Sequence, residues 1–285
     1  MRTYIDCISC FLKQAQSAVT IAVDDPSRRE QVMGEVLEDV SRMNFDRSTV
    51  EIGAEIHRTL REASGNPDPY REIKDRSNRR MLALYPHFSQ QIQSAEDPLE
   101  MAVRMAIAAN IIDFGAIQNL DEETIDNVMS EASAIPLDRA AVEQLRREVE
   151  RAETILYLGD NAGEIVCDRL LIEQLPREKI TFVVRGNPVL NDVTMVDAEA
   201  VGMTKIVPVI DNGFDAPGTV LEFCSPEFRD RFQAADLIIA KGQGNYESLS
   251  DNQQNIFFLL KAKCPVIAKE FNSSVGVQIL QKVRH

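Results

Sequence analysis

The segment Leu158-Gly159-Asp160-Asn161-Ala162-Gly163-Glu164 places a carboxylate and an amide where an apolar run, Thr154 to Leu158, gives way to an amphipathic stretch, Ile165 to Leu175. Turns of this kind that hold phosphate directly carry glycines, so that backbone N–H groups and the helix dipole face the anion. A carboxylate in that place repels phosphate unless a cation lies between them. The turn therefore suggests a metal site that handles an anionic substrate. Oxygen ligands suit hard divalent ions, and the three histidines, His57, His87 and His285, all lie outside the expected catalytic edge. Asp160 and Asn161 supply two oxygens. Asp192, in Pro188-Val189-Leu190-Asn191-Asp192-Val193-Thr194, is the best second carboxylate, although Asp is also a favoured N-cap for a helix that follows.

These groups need a scaffold, and two patterns meet near residue 150. Before it the chain carries four of its 13 glycines and reads as helix-period segments: Thr3 to Val23, Arg28 to Met43, Val50 to Ala63, Arg71 to Ala95, Leu99 to Ile112, Glu122 to Ala132 and Leu137 to Ala152. Beyond residue 152, β-rich runs (Thr154 to Leu158, Ile180 to Val184, Ile206 to Ile210, Leu237 to Ala240, Val266 to Ala268) alternate with helical ones (Ile165 to Leu175, Val193 to Val201, Pro226 to Ala235, Asn252 to Ala262). The expectation is an α/β protein: an all-helical domain over 1–150, a possible substrate cap, and a doubly wound, mostly parallel, Rossmann-like sheet domain over 151–285. In such sheets ligands bind beyond the carboxyl ends of the strands. The expected ends carry Asp160-Asn161, Arg185-Gly186-Asn187, Asp211-Asn212-Gly213, Lys241-Gly242-Gln243-Gly244-Asn245 and Lys269-Glu270. Carboxylates mixed with Arg and Lys along one edge favour an anion-plus-cation site.

Composition sets outer limits. Lys plus Arg number 31 against 45 Asp plus Glu, a net charge of −14, which opposes binding to nucleic acid or an anionic membrane. No apolar stretch approaches the ~20 residues of a bilayer span. The N-terminal residues MRTYIDCISC show no signal-peptide hydrophobic region, so a cytoplasmic protein is expected. Five cysteines then read as reduced thiols.

Five ordered motifs, DNAGE (160–164), RGNPVLNDVT (185–194), DNGFDAPGT (211–219), KGQGNYESL (241–249) and AKEF (268–271), resemble those of the damage-control phosphatase family, also known as domain of unknown function 89. The resemblance spans essentially the whole chain, and its prokaryotic branch carries an early Cys pair similar to Cys7-Ile8-Ser9-Cys10. It implies a metal-dependent phosphatase of small phosphomonoesters, including sugar phosphates and damaged phosphorylated metabolites. It also implies metal ligands at Asp160, Asn161 and Asp192, and phosphate contacts along Lys241 to Asn245 and at Lys269. Gly242 and Gly244 would let backbone N–H groups approach phosphate oxygens, and each Lys would add charge. Glu164, Arg185, Asn187 and Asn212 fall inside the motifs in supporting roles. Mg²⁺, Mn²⁺, Co²⁺ and Ni²⁺ all suit such a site.

Two routes for hydrolysis stay open: attack by a metal-bound water, or by the Asp160 carboxylate to give an aspartyl-phosphate. The haloacid-dehalogenase signature is missing, because Ala162 stands where its second aspartate would be. Two other classes compete. An S-adenosylmethionine-dependent methyltransferase would use Gly159 and Gly163, but Asn161 breaks its GxGxG turn. A non-catalytic metabolite-binding protein could use the same sheet edge. In the helical half, Asn110 and Asp113 share a helix face and either reach a substrate or close the helix before Gly115. Cys7 and Cys10 offer half of a zinc site; packing as small apolar groups is the alternative. Cys167, one turn after DNAGE, is expected in the core. The oligomeric state is not legible.

Overall fold

The computed structural model describes residues 1–109, 127, 129, 130, 134 and 137–282. Helices α1 (Cys7–Ala22), α2 (Pro26–Ser41), α3 (Thr49–Ser64), α4 (Arg71–Ser94), α5 (Pro98–Ala108) and α6 (Arg139–Arg151) come first. Helices α2, α3, α5 and α6 start at side-chain caps. The Asp25 carboxylate accepts from Arg28 N ahead of Pro26, and Ser48 and Glu51 form a capping box on α3, which ends at the left-handed Gly65. Asn110 and Asp113, and the helix expected over Glu122 to Ala132 apart from residues 127, 129 and 130, lie outside the described residues.

Strands β1 (Ile155–Leu158), β2 (Ile180–Val184), β3 (Val209–Asp211), β4 (Leu237–Lys241), β5 (Ile256–Lys261) and β6 (Gln278–Lys282) form one sheet in the order β3-β2-β1-β4-β5-β6. All neighbours are parallel except β6, which runs antiparallel to β5. That order reverses between β1 and β4, the place where doubly wound sheets open a crevice for a ligand. The connecting helices are α7 (Glu164–Ile172), α8 (Met195–Ala200), α9 (Pro226–Ala234), α10 (Gly242–Leu249) and α11 (Pro265–Glu270).

Alternation along the strands splits the core between the faces. Ile155, Tyr157, Phe182, Leu237, Ile239, Phe257 and Leu259 pack with α4 to α8, whereas Leu156, Leu158, Val183, Ile238, Ala240, Phe258 and Leu260 pack with α9, α10 and α11. One apolar cluster therefore runs across residue 150, joining Met81, Phe88, Leu99, Val103, Leu145 and Val149 to the sheet. Helices α1 to α3 hold a smaller cluster of their own around Phe11, Val36 and Ile52. No helix among the described residues is long and apolar enough to cross a membrane.

Near the C-terminus two expected elements exchange type. The helix expected over Asn252 to Ala262 is strand β5, because Ile256-Phe257-Phe258-Leu259-Leu260 is a continuous apolar run buried on both faces between β4 and β6. Periodicity cannot separate such a run from a buried helix. The strand expected over Val266 to Ala268 is helix α11, which Pro265 starts at its first turn. The third strand begins later than expected, at Val209, and β6 was not anticipated.

Candidate active site at the ends of β1, β2 and β4

Gly159 lets the chain leave β1 against neighbours that a side chain would meet: an added Cβ would lie 2.7 Å from the Phe182 ring. The next residues pair with the segment after β2. Val193 N donates to Asp160 O at 2.9 Å and Ala162 N to Asn191 O at 2.8 Å, making an antiparallel bridge between Asn161 and Asp192. Residues opposite each other in an antiparallel pair carry their side chains on one side, with Cβ atoms about 4.5–5.5 Å apart. The bridge thus brings the three expected ligands together. It also separates the two roles open to Asp192, because the cap of α8 is Thr194, in a capping box with Asp197.

Asp160 and Asp192 are buried. Burial, then the nearby Glu164 and Asp192 carboxylates, push Asp160 well above the usual carboxylate range, against the pull of Lys263 and Arg185. Burial likewise raises Asp192 to about 6, although Arg185 opposes it. Arg185 is itself 1% exposed. Its Nε donates to Asp192 Oδ2 at 2.7 Å, and Nη1 reaches Thr219 Oγ1 at 3.3 Å and Asn245 Oδ1 at 3.4 Å. Its Nη2, 3.9 Å from Asp160 Oδ1, is buried without a hydrogen-bond acceptor among the described residues. Asn161 Nδ2 donates to Asp160 Oδ2 at 2.7 Å and Glu164 Oε2 at 3.1 Å, which leaves its carbonyl oxygen as the donor atom for a cation.

Lys241 lies beneath the turn. Fully buried, its ammonium donates to Glu164 and, at 2.7 Å, to Asp168 Oδ1, which also accepts from Tyr157 Oη at 2.8 Å. The expected phosphate contact is thus spent on two carboxylates, because β4 carries Lys241 into the core as its last residue. Gly242 and Gly244 stand in the first turn of α10 instead of a loop. A Cβ at Gly242, where φ is +79°, would overlap the Asp160 carboxylate, and one at Gly244 would overlap Pro217 O. Asn245 is a buried tie, with Nδ2 donating to Lys241 O at 2.7 Å and Gly159 O at 3.2 Å. Asn212 shapes a turn, its Oδ1 accepting from Gly186 N and Phe214 N at 3.0 Å each. Asn187 is exposed.

Lys269 is exposed at the end of α11, and no described contact ties it to Asp160, Asn161 or Asp192. The exchange of β5 and α11 explains this, since residue 269 no longer follows a strand. Lys263, in the turn after β5, is the lysine whose charge acts on Asp160, and it is exposed. Its signal was legible in Lys261-Ala262-Lys263-Cys264, had β5 been assigned. Asp168 was also missed, although it stands four residues after Glu164 on one helix face. Cys7 packs at the edge of the Phe11 cluster, Cys10 is exposed, and Cys167 is fully buried in the main core, which holds its thiol protonated.

The donor set, two buried carboxylates and an amide oxygen, fits a hard divalent cation. Among the described residues no group of three or more His, Cys, Asp or Glu side chains is placed to hold a metal ion.

Comparison with known proteins places the chain. Residues 3–279 match the damage-control phosphatase ARMT1-like domain. The chain is 32% identical to a damage-control phosphatase of Pyrococcus horikoshii, covering 99% of this chain and 98% of that one. It is 33% identical to a damage-control phosphatase of Archaeoglobus fulgidus, covering 97% and 98%. An uncharacterized protein of Methanocaldococcus jannaschii shares 35% identity over 97% of this chain and 94% of its own. A crystal structure of a domain-of-unknown-function-89 protein from Pyrococcus horikoshii superposes with a TM-score of 0.91 over 100% of both chains, at 32% identity. With its acidic turn bridged to Asp192 at the switch point of the sheet, the chain belongs to the damage-control phosphatase ARMT1-like family.

Proposed function

We propose that this protein is a divalent-metal-dependent phosphatase of small phosphomonoesters, of the sugar-phosphate or damaged-metabolite kind. The observation that carries the proposal is the Asn161–Asp192 bridge, which gathers an oxygen-only ligand set among buried carboxylates. Asp160, Asn161 and Asp192 would hold the ion, and Mg²⁺, Mn²⁺, Co²⁺ or Ni²⁺ would suit them. When bound, such an ion neutralises charge on phosphoryl oxygens.

The other side chains prepare the site. Arg185 fixes one oxygen of Asp192 at 2.7 Å and favours its ionised form. Glu164 takes the Asn161 N–H and so turns the amide oxygen away from itself. Lys241, itself paired with Asp168, holds Glu164 from below. Lys263 supplies an exposed positive charge on the solvent side, where a phosphoryl group would enter, and its place in a turn lets it adjust to the substrate.

The test is phosphate release from a panel of small phosphomonoesters, using chelator-stripped protein with each metal restored. Turnover should require metal and fall by roughly 100-fold or more in Asp192→Asn. Folded protein that releases no phosphate with any metal would overturn the proposal.

A further inference from the structure

The helical half reaches the proposed cation ligands through one buried amide. Asn78, on α4 and 2% exposed, accepts from Gly163 N through Oδ1 at 2.7 Å and donates through Nδ2 to Asp197 Oδ1 at 3.0 Å. Asp197 Oδ2 in turn accepts from Thr194 N at 2.9 Å and Thr194 Oγ1 at 2.7 Å. Gly163 lies two residues after Asn161, and Thr194 two residues after Asp192. A single side chain therefore spans the two segments whose bridge forms the ligand set.

No simpler role accounts for it. Asp197 already has its counter-charges on the same helix, Arg71 at 2.6 Å and Lys74 at 3.5 Å, so Asn78 is not needed to neutralise it. The position needs one group that both accepts and donates. An amide does this; a carboxylate lacks the donor, and a serine is too short to reach both partners. The neighbouring Ser77 fixes the approach, since a Cβ at Gly163 would lie 3.0 Å from Ser77 Cβ.

We propose that Asn78 is a positioning residue that sets the spacing of Asn161 and Asp192, so that α4 holds the cation site from behind. This rests on the metal site proposed above. Groups that orient metal ligands from outside typically change metal affinity by about 10–100-fold.

The experiment is a calorimetric titration of chelator-stripped full-length protein with Mn²⁺, beside thermal unfolding of each metal-free protein. Asn78→Ala should weaken Mn²⁺ binding by about tenfold or more. A merely structural Asn78 would lower the melting temperature and leave the affinity of the folded protein within twofold of native, which would overturn the proposal. Should Asn78→Ala not fold, the isosteric Asn78→Asp single variant is titrated in its place, with the same tenfold expectation. Failure of the native protein to bind Mn²⁺ would instead sink the metal site itself.

Discussion

Asp160 is confined on two sides: Glu164 and Asp192 repel its charge, and the first turn of α10 presses on it at Gly242. The space left by the missing side chain is what admits the carboxylate, and φ of +79° further restricts residue 242 to glycine. Gly242→Ala should therefore displace Asp160 and reduce metal-dependent phosphate release by roughly 100-fold, with an unchanged circular dichroism spectrum; activity within a few-fold of native would refute the close approach. Lys241 makes a different prediction. Replacing it with Met leaves Glu164 and Asp168 buried without their cation, and breaking a buried pair in this way costs about 3–5 kcal/mol. Denaturant midpoints should show that loss, whereas a lysine that served only an incoming phosphate would leave stability unchanged.

At the scale of elements, α3 grips the loops after β2 and β3. Arg58 and Arg61 both pair with Asp215, Arg58 stacks over Phe214 at 4.9 Å, and Arg61 donates to Pro188 O at 2.8 Å. Burial raises the Asp215 pKa, but bonds to Arg58 and then the charges of both arginines outweigh it and hold the carboxyl below its usual range. A depressed folded pKa means this contribution is present above the unfolded value, near 4, and is lost as pH falls through the folded one. Asp215→Asn should speed hydrogen exchange in 186–191 and 212–219 at neutral pH, and the difference from native should shrink in acid. How much of the site was legible in the sequence follows from the same elements. The acidic turn could be read because it follows a strand, and strand ends carry ligands in doubly wound sheets, whereas Asp192 read equally as a helix cap and was favoured as a ligand only through the family resemblance. The roles of Lys241, Lys263 and Lys269 could not be read. They depend on which apolar run becomes β5, and on whether a lysine at a strand end points into the core, and Ile256 to Leu260 gives periodicity nothing to separate helix from strand. Asn78 was invisible for a related reason: a polar residue in an amphipathic helix reads as surface until a tertiary partner is known.

For the whole molecule, the cluster proposed to serve a cation should weaken the metal-free fold. Burial raises Asp160, Asp192 and Asp168, the last two to about 6, so at neutral pH the folded protein carries a strain that the unfolded chain does not. A raised folded pKa for an acid gives a definite sign: metal-free stability should rise as pH falls from about 6 toward the unfolded value near 4. His57 works the other way. Burial and then Arg61 lower it to about 3, so below about 6.5 the unfolded chain takes up a proton that the folded one refuses, and stability falls. His57→Leu should remove that opposing slope and expose the carboxylate effect. Neutralising one carboxylate isolates the cation's part. Metal-free Asp160→Asn should melt above the metal-free native protein, because it relieves the repulsion from Glu164 and Asp192. Mn²⁺ should then reverse the order, since a native site at a hundredfold excess of ligand over its dissociation constant gains about 2.7 kcal/mol, while the variant gains little. Melting curves of both proteins with and without Mn²⁺ decide it: a variant less stable than native in the absence of metal would show that the carboxylates are balanced within the fold and do not await a cation.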